Sequence, residues 1–265
     1  MQDTCRDLLD EYRDLADFCA TLNPGDWRRE TDFYGWTPWD EVAHLCYFDQ
    51  TALQSINDPQ AFMADAKVLG QLMASGGQIS AVARATFGDL DGAALLERWR
   101  GAFELLVEAL ARQEPKARLN WYGPTMSAKS FATARLMETW AHGQDIWDVM
   151  RRPRAGSHRL KAIAHIGVST FGWTFVNRKL PVPEVQPYVE LTGPDGSVQV
   201  WGNPSATDYV RGSLQDFCLL VTQRRHRADT RLEWAGDAAE QWTQLAQCFA
   251  GPAADGPAPG QRPAL

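Results

Sequence analysis

Glu138 and His142 stand four residues apart in a stretch with helical patterning, which puts their side chains roughly 40° apart around the axis and one turn along it. They share a face. A carboxylate oxygen and an imidazole nitrogen at that spacing suit one divalent ion, and a third ligand from another helix would leave a position open for water or substrate. His44 is the natural third. Pairs of this kind also occur as solvated hydrogen bonds, but Trp140, Ile146 and Trp147 make these surroundings mostly apolar, where ionisable groups need a partner or a metal. The competing reading is a hydrogen-bonded cluster with a structural role only. Asp145, three positions after His142 on the same face, reads as an outer acceptor that orients the imidazole in preference to a fourth ligand.

The remaining candidates carry less. Asp148 lies off that face, and His158 and His165, seven apart, have no carboxylate at ligand spacing. His226 belongs to the basic run Arg224-Arg225-His226-Arg227, where cations at a helix end favour the macrodipole. The chain has no Gly-x-Ser-x-Gly, P-loop or dinucleotide fingerprint. Five cysteines, an odd number without a Cys-x-x-Cys pair, argue against both a disulfide framework and a thiolate zinc site; they read as reduced thiols.

The elements that must position these residues are mainly helical. Leu8, Leu9, Tyr12, Leu15, Ala16 and Leu22 recur at helical steps until Asn23-Pro24-Gly25, and Thr37-Pro38-Trp39-Asp40 starts a second helix that carries His44 in its second turn. Shorter helices over 59–87 break at Gly76-Gly77, and Leu95, Trp99, Phe103, Leu106 and Leu110 stripe a further long helix. Ser127 caps the helix of Glu138 and His142, which runs to about Met150, and helical patterning resumes over 157–178. Tyr188–Leu191 and Val198–Trp201 flank Gly193-Pro194-Asp195-Gly196 as a hairpin; a helix over 205–225, a strand near 231–234 and a helix over 238–249 complete a second domain. The Pro-, Gly- and Ala-rich tail over 251–265 is expected to be disordered.

Bulk properties narrow the partners. A formal charge of −7, from 26 basic and 33 acidic residues, repels a phosphate backbone, so nucleic acid is not an expected partner. No run approaches the roughly 18 apolar residues of a membrane span, and Asp3, Arg6, Asp7 and Asp10 stand where a signal peptide would be apolar. A cytoplasmic protein acting on a small molecule is the expectation.

Gly35-Trp36-Thr37-Pro38-Trp39-Asp40-Glu41-Val42-Ala43-His44-Leu45 and Glu138-Thr139-Trp140-Ala141-His142-Gly143-Gln144-Asp145-Ile146 resemble the two metal motifs of the mycothiol-dependent maleylpyruvate isomerase family, within the DinB-like superfamily. Leu219–Arg224 and Leu232–Asp237 are similar to that family's small C-terminal domain. The resemblance implies a DinB-like four-helix bundle over about residues 1–180, a small α+β domain over 181–250, and zinc or a similar ion held by His44, Glu138 and His142. It places the family's functional arginine on Arg224, where Gln223 stands in place of the glycine that commonly precedes it. The activity implied is that of an isomerase or transferase in which a low-molecular-weight thiol attacks an electrophilic, carboxylate-bearing small molecule. A metal-dependent hydrolase or lyase that uses no thiol, and a non-catalytic metal or ligand carrier, are the alternatives.

Overall fold

The computed structural model describes residues 1–262 and groups them into two compact units, one ending at Met150 and one beginning at Arg151. The first is helical. Helix α1 (Gln2–Cys19) buries Cys5, Leu8, Tyr12, Leu15, Ala16 and Cys19, and α5 (Gly92–Ala111) buries the expected stripe from Leu95 to Leu110. Helix α2 (Pro38–Asn57) opens with a capping box: the Thr37 hydroxyl accepts from the Asp40 N–H, and Asp40 accepts from the Thr37 N–H at 2.9 Å. Arg84 then grips Asp40 with Nε and Nη2 at 2.7 and 2.9 Å, pinning α4 (Ile79–Phe87) to the start of α2. Helix α3 (Pro59–Ala74) precedes α4, and the break falls at Gly76-Gly77 as the sequence indicates.

The residues before α6 (Ala128–Val149) pair as a small antiparallel ladder of β1 (Arg118–Leu119) and β2 (Met126–Ser127). Strands this short show no alternation to read. Helices α1, α2, α5 and α6 form the bundle, and one carboxylate ties all four together. Asp49 of α2 accepts from Tyr12 of α1 at 2.5 Å, from Trp99 of α5 at 2.8 Å and from Arg135 of α6 at 2.8 Å, and all four residues are buried.

The second unit begins earlier than the expected boundary at 180. Helices α7 (Leu160–Ser169) and α8 (Phe171–Asn177), read from sequence as one helix closing the first domain, bury Leu160, Ile163, Phe171 and Phe175 within the second unit, α7 against α9 (Leu214–Val221). Strands β3 (Tyr188–Thr192) and β4 (Val198–Trp201) form the expected hairpin. The helix expected over 205–225 is corrected: its first half holds β5 (Tyr209–Ser213), parallel to β3, and only then does Ser213 cap α9. Gly212 at φ +148 allows the strand to pass close to Leu232, where a side chain would collide. Strand β6 (Glu233–Ala235) completes a sheet of order β4-β3-β5-β6, followed by α10 (Asp237–Leu245).

The expected disorder of the tail is also corrected, for residues 251–262; residues 263–265 lie outside the described residues. The backbone of this segment is bonded by side chains of the second unit. Gln247 donates to the Pro252 carbonyl at 3.1 Å and accepts from the Ala254 N–H, Arg178 donates to the Ala254 carbonyl, and the Gly260 N–H donates to Asp229. A Pro- and Gly-rich segment needs few apolar contacts to be held when its backbone groups are satisfied this way.

Candidate metal centre

His44 projects from the second turn of α2, and Glu138 and His142 from one face of α6. The fold brings all three together: one ligand atom from each lies within 4.8 Å of the other two. His142 Nε2 stands 3.3 Å, and His44 Nε2 3.6 Å, from the same oxygen, Glu138 Oε2. Four ligands about 2.0 Å from a tetrahedral ion are about 3.3 Å apart, so this spacing suits ligands around a shared ion. The site is asymmetric in exposure, with the His142 side chain 6% and the Glu138 side chain 27% accessible, so its open side is at Glu138.

The tautomer of His142 is fixed from behind. Its Nδ1 donates to Glu41 Oε2 at 2.6 Å, and Glu41 is fully buried, which leaves Nε2 as the ring nitrogen that faces Glu138. His44 has no equivalent support: its Nδ1 is buried without a hydrogen-bond partner among the described residues. Burial pushes the His44 imidazole below the ordinary histidine range, which keeps it neutral and able to ligate. Burial alone would raise Glu138, but the His142 and His44 imidazoles facing it hold its carboxyl well below the usual carboxylate range.

Glu41, His142 and Asp145 also lie within ligand distance of one another. That trio is a poor cation site, because 2.6 Å between Glu41 Oε2 and His142 Nδ1 is a direct hydrogen bond with no room for an ion between them. Glu41 was not singled out from sequence, since an acid in the first turn of a capped helix reads as a complement to the macrodipole. The only hint is that it precedes His44 by three positions, one turn back. Asp145, the residue expected in this role, is buried on α6 beside Glu41 and His142.

Aromatic rings surround the two imidazoles. Trp36 lies parallel to His142 at 5.8 Å between centroids and 5.3 Å from His44, Phe33 meets His142 edge-on at 5.4 Å, and Phe48 stands 4.7 Å from His44. The 31–36 loop that presents Phe33 and Trp36 takes two consecutive left-handed residues, Tyr34 at φ 52 and Gly35 at φ 68, and closes with the Thr31 N–H on the Trp36 carbonyl at 2.7 Å. The Thr31 hydroxyl reaches Glu41 Oε1 at 3.4 Å. One carboxylate thus contacts both His142 and the loop.

Arg224 belongs to the second unit, at the end of α9. The chain leaves that helix in a Schellman turn, with the Arg224 N–H on the Leu219 carbonyl, the Gln223 N–H on the Leu220 carbonyl, and Gln223 left-handed at φ 58. That left-handed conformation is one that glycine takes without strain. The Gln223 amide bonds the Ala246 and Ala254 carbonyls, a use glycine cannot offer. Arg224 itself is buried, and its Nη1 donates to the Thr222 carbonyl at 2.8 Å.

Comparison with known proteins places this chain in a family. Residues 8–147 match the family model described as the mycothiol maleylpyruvate isomerase N-terminal domain. Uncharacterised proteins from two strains of Mycobacterium tuberculosis, CDC 1551 and H37Rv, are each 38% identical over 246 residues, covering 93% of this chain and 95% of theirs. The crystal structure of the mycothiol-dependent maleylpyruvate isomerase is similar in fold, with a TM-score of 0.55 and 13% identity over 84% of this chain and 89% of that one. A histidine-to-alanine variant of that enzyme aligns over the same shares at a TM-score of 0.52. With its mainly α architecture, its small α+β C-terminal region and a model match over more than half its length, the chain belongs to the mycothiol maleylpyruvate isomerase family.

Proposed function

We propose that this protein is a metal-dependent isomerase or transferase that uses a divalent ion, zinc by the donor set, to direct a low-molecular-weight thiol at an electrophilic small molecule bearing a carboxylate. The observation that carries the reading is the spacing of the two Nε2 atoms around Glu138 Oε2, with His142 Nδ1 already committed to Glu41. A divalent ion held there supplies a positive charge that lowers the pKa of a thiol and polarises a carbonyl. Glu41 keeps His142 in the Nδ1–H tautomer, and Glu138 stays ionised as a donor. Trp36 and Phe33 cover His142 and keep water from its ring. Arg224 offers a planar fork suited to the substrate carboxylate. The names of the matching family and of the enzyme similar in fold supply the thiol class, mycothiol.

Elemental analysis is expected to find about one divalent ion per chain, lost in both His44→Ala and His142→Ala, because three protein ligands are the usual minimum for an exchangeable ion. Full occupancy in either variant would overturn the ligand assignment. Turnover by the zinc-loaded protein is expected to need added thiol. Turnover without it would make the protein a hydrolase or lyase, and a loaded site that exchanges no ligand would make it a carrier.

A further inference from the structure

The aromatic residues around the imidazoles extend beyond what covering two ligands requires. Phe48 stands 5.5 Å from Tyr122 and 6.0 Å from Trp121, so the rings continue from Trp36 through His44 and Phe48 to the segment before β2. Trp36, Phe48, Trp121 and Tyr122 are all only half-buried, unlike Trp99 and Phe131, which are closed in the core. The 31–36 loop spends backbone strain on Tyr34 to present its rings, which ordinary core filling does not need, and it is anchored to the carboxylate that orients His142. A group held at His44 therefore has indole and phenyl faces as its nearest apolar neighbours, and such faces favour stacked or edge-on contact with other π systems.

We propose that the substrate of this site carries a planar aromatic group, seated against Trp36 and Phe48 while its reactive end meets the ion. This deepens the functional reading above and rests on it for the ion. It names a substrate class: an aryl-bearing electrophile, in place of a compact, fully polar acid.

The test uses the zinc-loaded full chain and three hydroxamates that share one metal-binding head: acetohydroxamate, cyclohexanecarbohydroxamate and benzohydroxamate. Binding is followed by tryptophan fluorescence and calorimetry, without turnover. Benzohydroxamate is expected to bind about tenfold or more tighter than acetohydroxamate, from burial plus ring-to-ring contact, and several-fold tighter than the cyclohexyl compound. Trp36→Leu and Phe48→Leu, each verified to retain zinc, should bring the aryl preference close to that of the cyclohexyl compound. Equal binding of all three by the wild type, equal binding of the cyclohexyl and phenyl compounds, or an aryl preference untouched in both variants overturns the inference and leaves the metal reading intact. Failure of every hydroxamate to bind, or failure of the chain to hold zinc, overturns the metal reading and this inference with it.

Discussion

Glu41→Gln tests the support behind the metal centre. The substitution keeps the shape of the side chain and leaves a carbonyl oxygen to accept from His142 Nδ1, so the tautomer is preserved. What is lost is the charge. A 2.6 Å bond to a buried carboxylate becomes a neutral one, and hydrogen bonds to charged groups contribute about 1.5–3 kcal/mol against about 0.5–1.5 kcal/mol for neutral pairs. The difference of about 1–1.5 kcal/mol is roughly a factor of ten in zinc affinity. Removing a negative charge this close to the ion weakens binding further, so the expected loss lies between about 10- and 100-fold. Competition titration of apo wild type and apo Glu41→Gln against a chromophoric zinc chelator, at one pH and salt concentration, reads it directly. Thermal unfolding of both apo proteins verifies that the fold is intact. Unchanged affinity would refute the reasoning, because Glu41 would then contribute nothing through His142, and complete loss of binding would refute it from the other side by making Glu41 a ligand.

Other perturbations separate the remaining roles. Asp145→Asn is expected to weaken zinc binding without abolishing it, and parallel titration with Glu41→Gln measures which acid matters more; equal affinity to wild type would leave Asp145 a structural role only. Arg224→Lys keeps the charge but loses the fork, so bound zinc should stay unchanged while turnover or carboxylate affinity falls, and full activity would remove Arg224 from the site. Asp40→Ala removes both the capping-box acid and the partner of Arg84 and should cost about 1 kcal/mol at neutral pH, read by denaturant unfolding. Burial alone would raise Asp40, but Arg84 and Thr37 hold its carboxyl below the usual range. The unfolded chain therefore takes up the proton first, near pH 4, so the stability from Asp40 is present above about that pH and is lost as pH falls through the lower folded value. The gap between wild type and Asp40→Ala should close in acid; a gap that widened would contradict the assignment.

The helices that carry the candidate ligands are legible in the sequence because their signals are local. The cap at Thr37-Pro38 starts α2 where expected, Ser127 starts α6, and the four-residue step between Glu138 and His142 fixes their shared face whatever surrounds them. Pairing His44 with them required only a second helix of the right polarity. Glu41 was hidden because its partner is 101 positions away on α6, and nothing local separates a buried acid from a first-turn acid in water. Strand β5 was missed for a related reason: it is held by β3 and β6 on either side, while its five residues run straight into the pattern of α9. The boundary at 150 and the order of 251–262 are likewise long-range. The apolar stripe of α7 does not say which unit will cover it, and the tail carbonyls are satisfied by Gln223, Gln247 and Arg178.

The carboxylate of Asp49 has a different consequence, one for evolvability. Asp49 and Arg135 are an ion pair withdrawn from water, and Arg135 Nη2 has no hydrogen-bond partner among the described residues, so the desolvation cost is incompletely recovered. Deleting either partner alone leaves the other's charge uncompensated and costs about 3–5 kcal/mol. Exchanging both for apolar residues would still leave the buried Tyr12 hydroxyl and Trp99 N–H without their acceptor, at about 1–3 kcal/mol for each, so single and double steps away from the pair both lead downhill and the pair persists once acquired. Its position explains what persistence preserves. Asp49 lies five residues after His44 on α2, and Arg135 lies three before Glu138 on α6. Sliding either helix along the other would break the ion pair as it moved the candidate ligands apart, so the alignment of the proposed site is inherited together with a bond that chemistry at the site never touches.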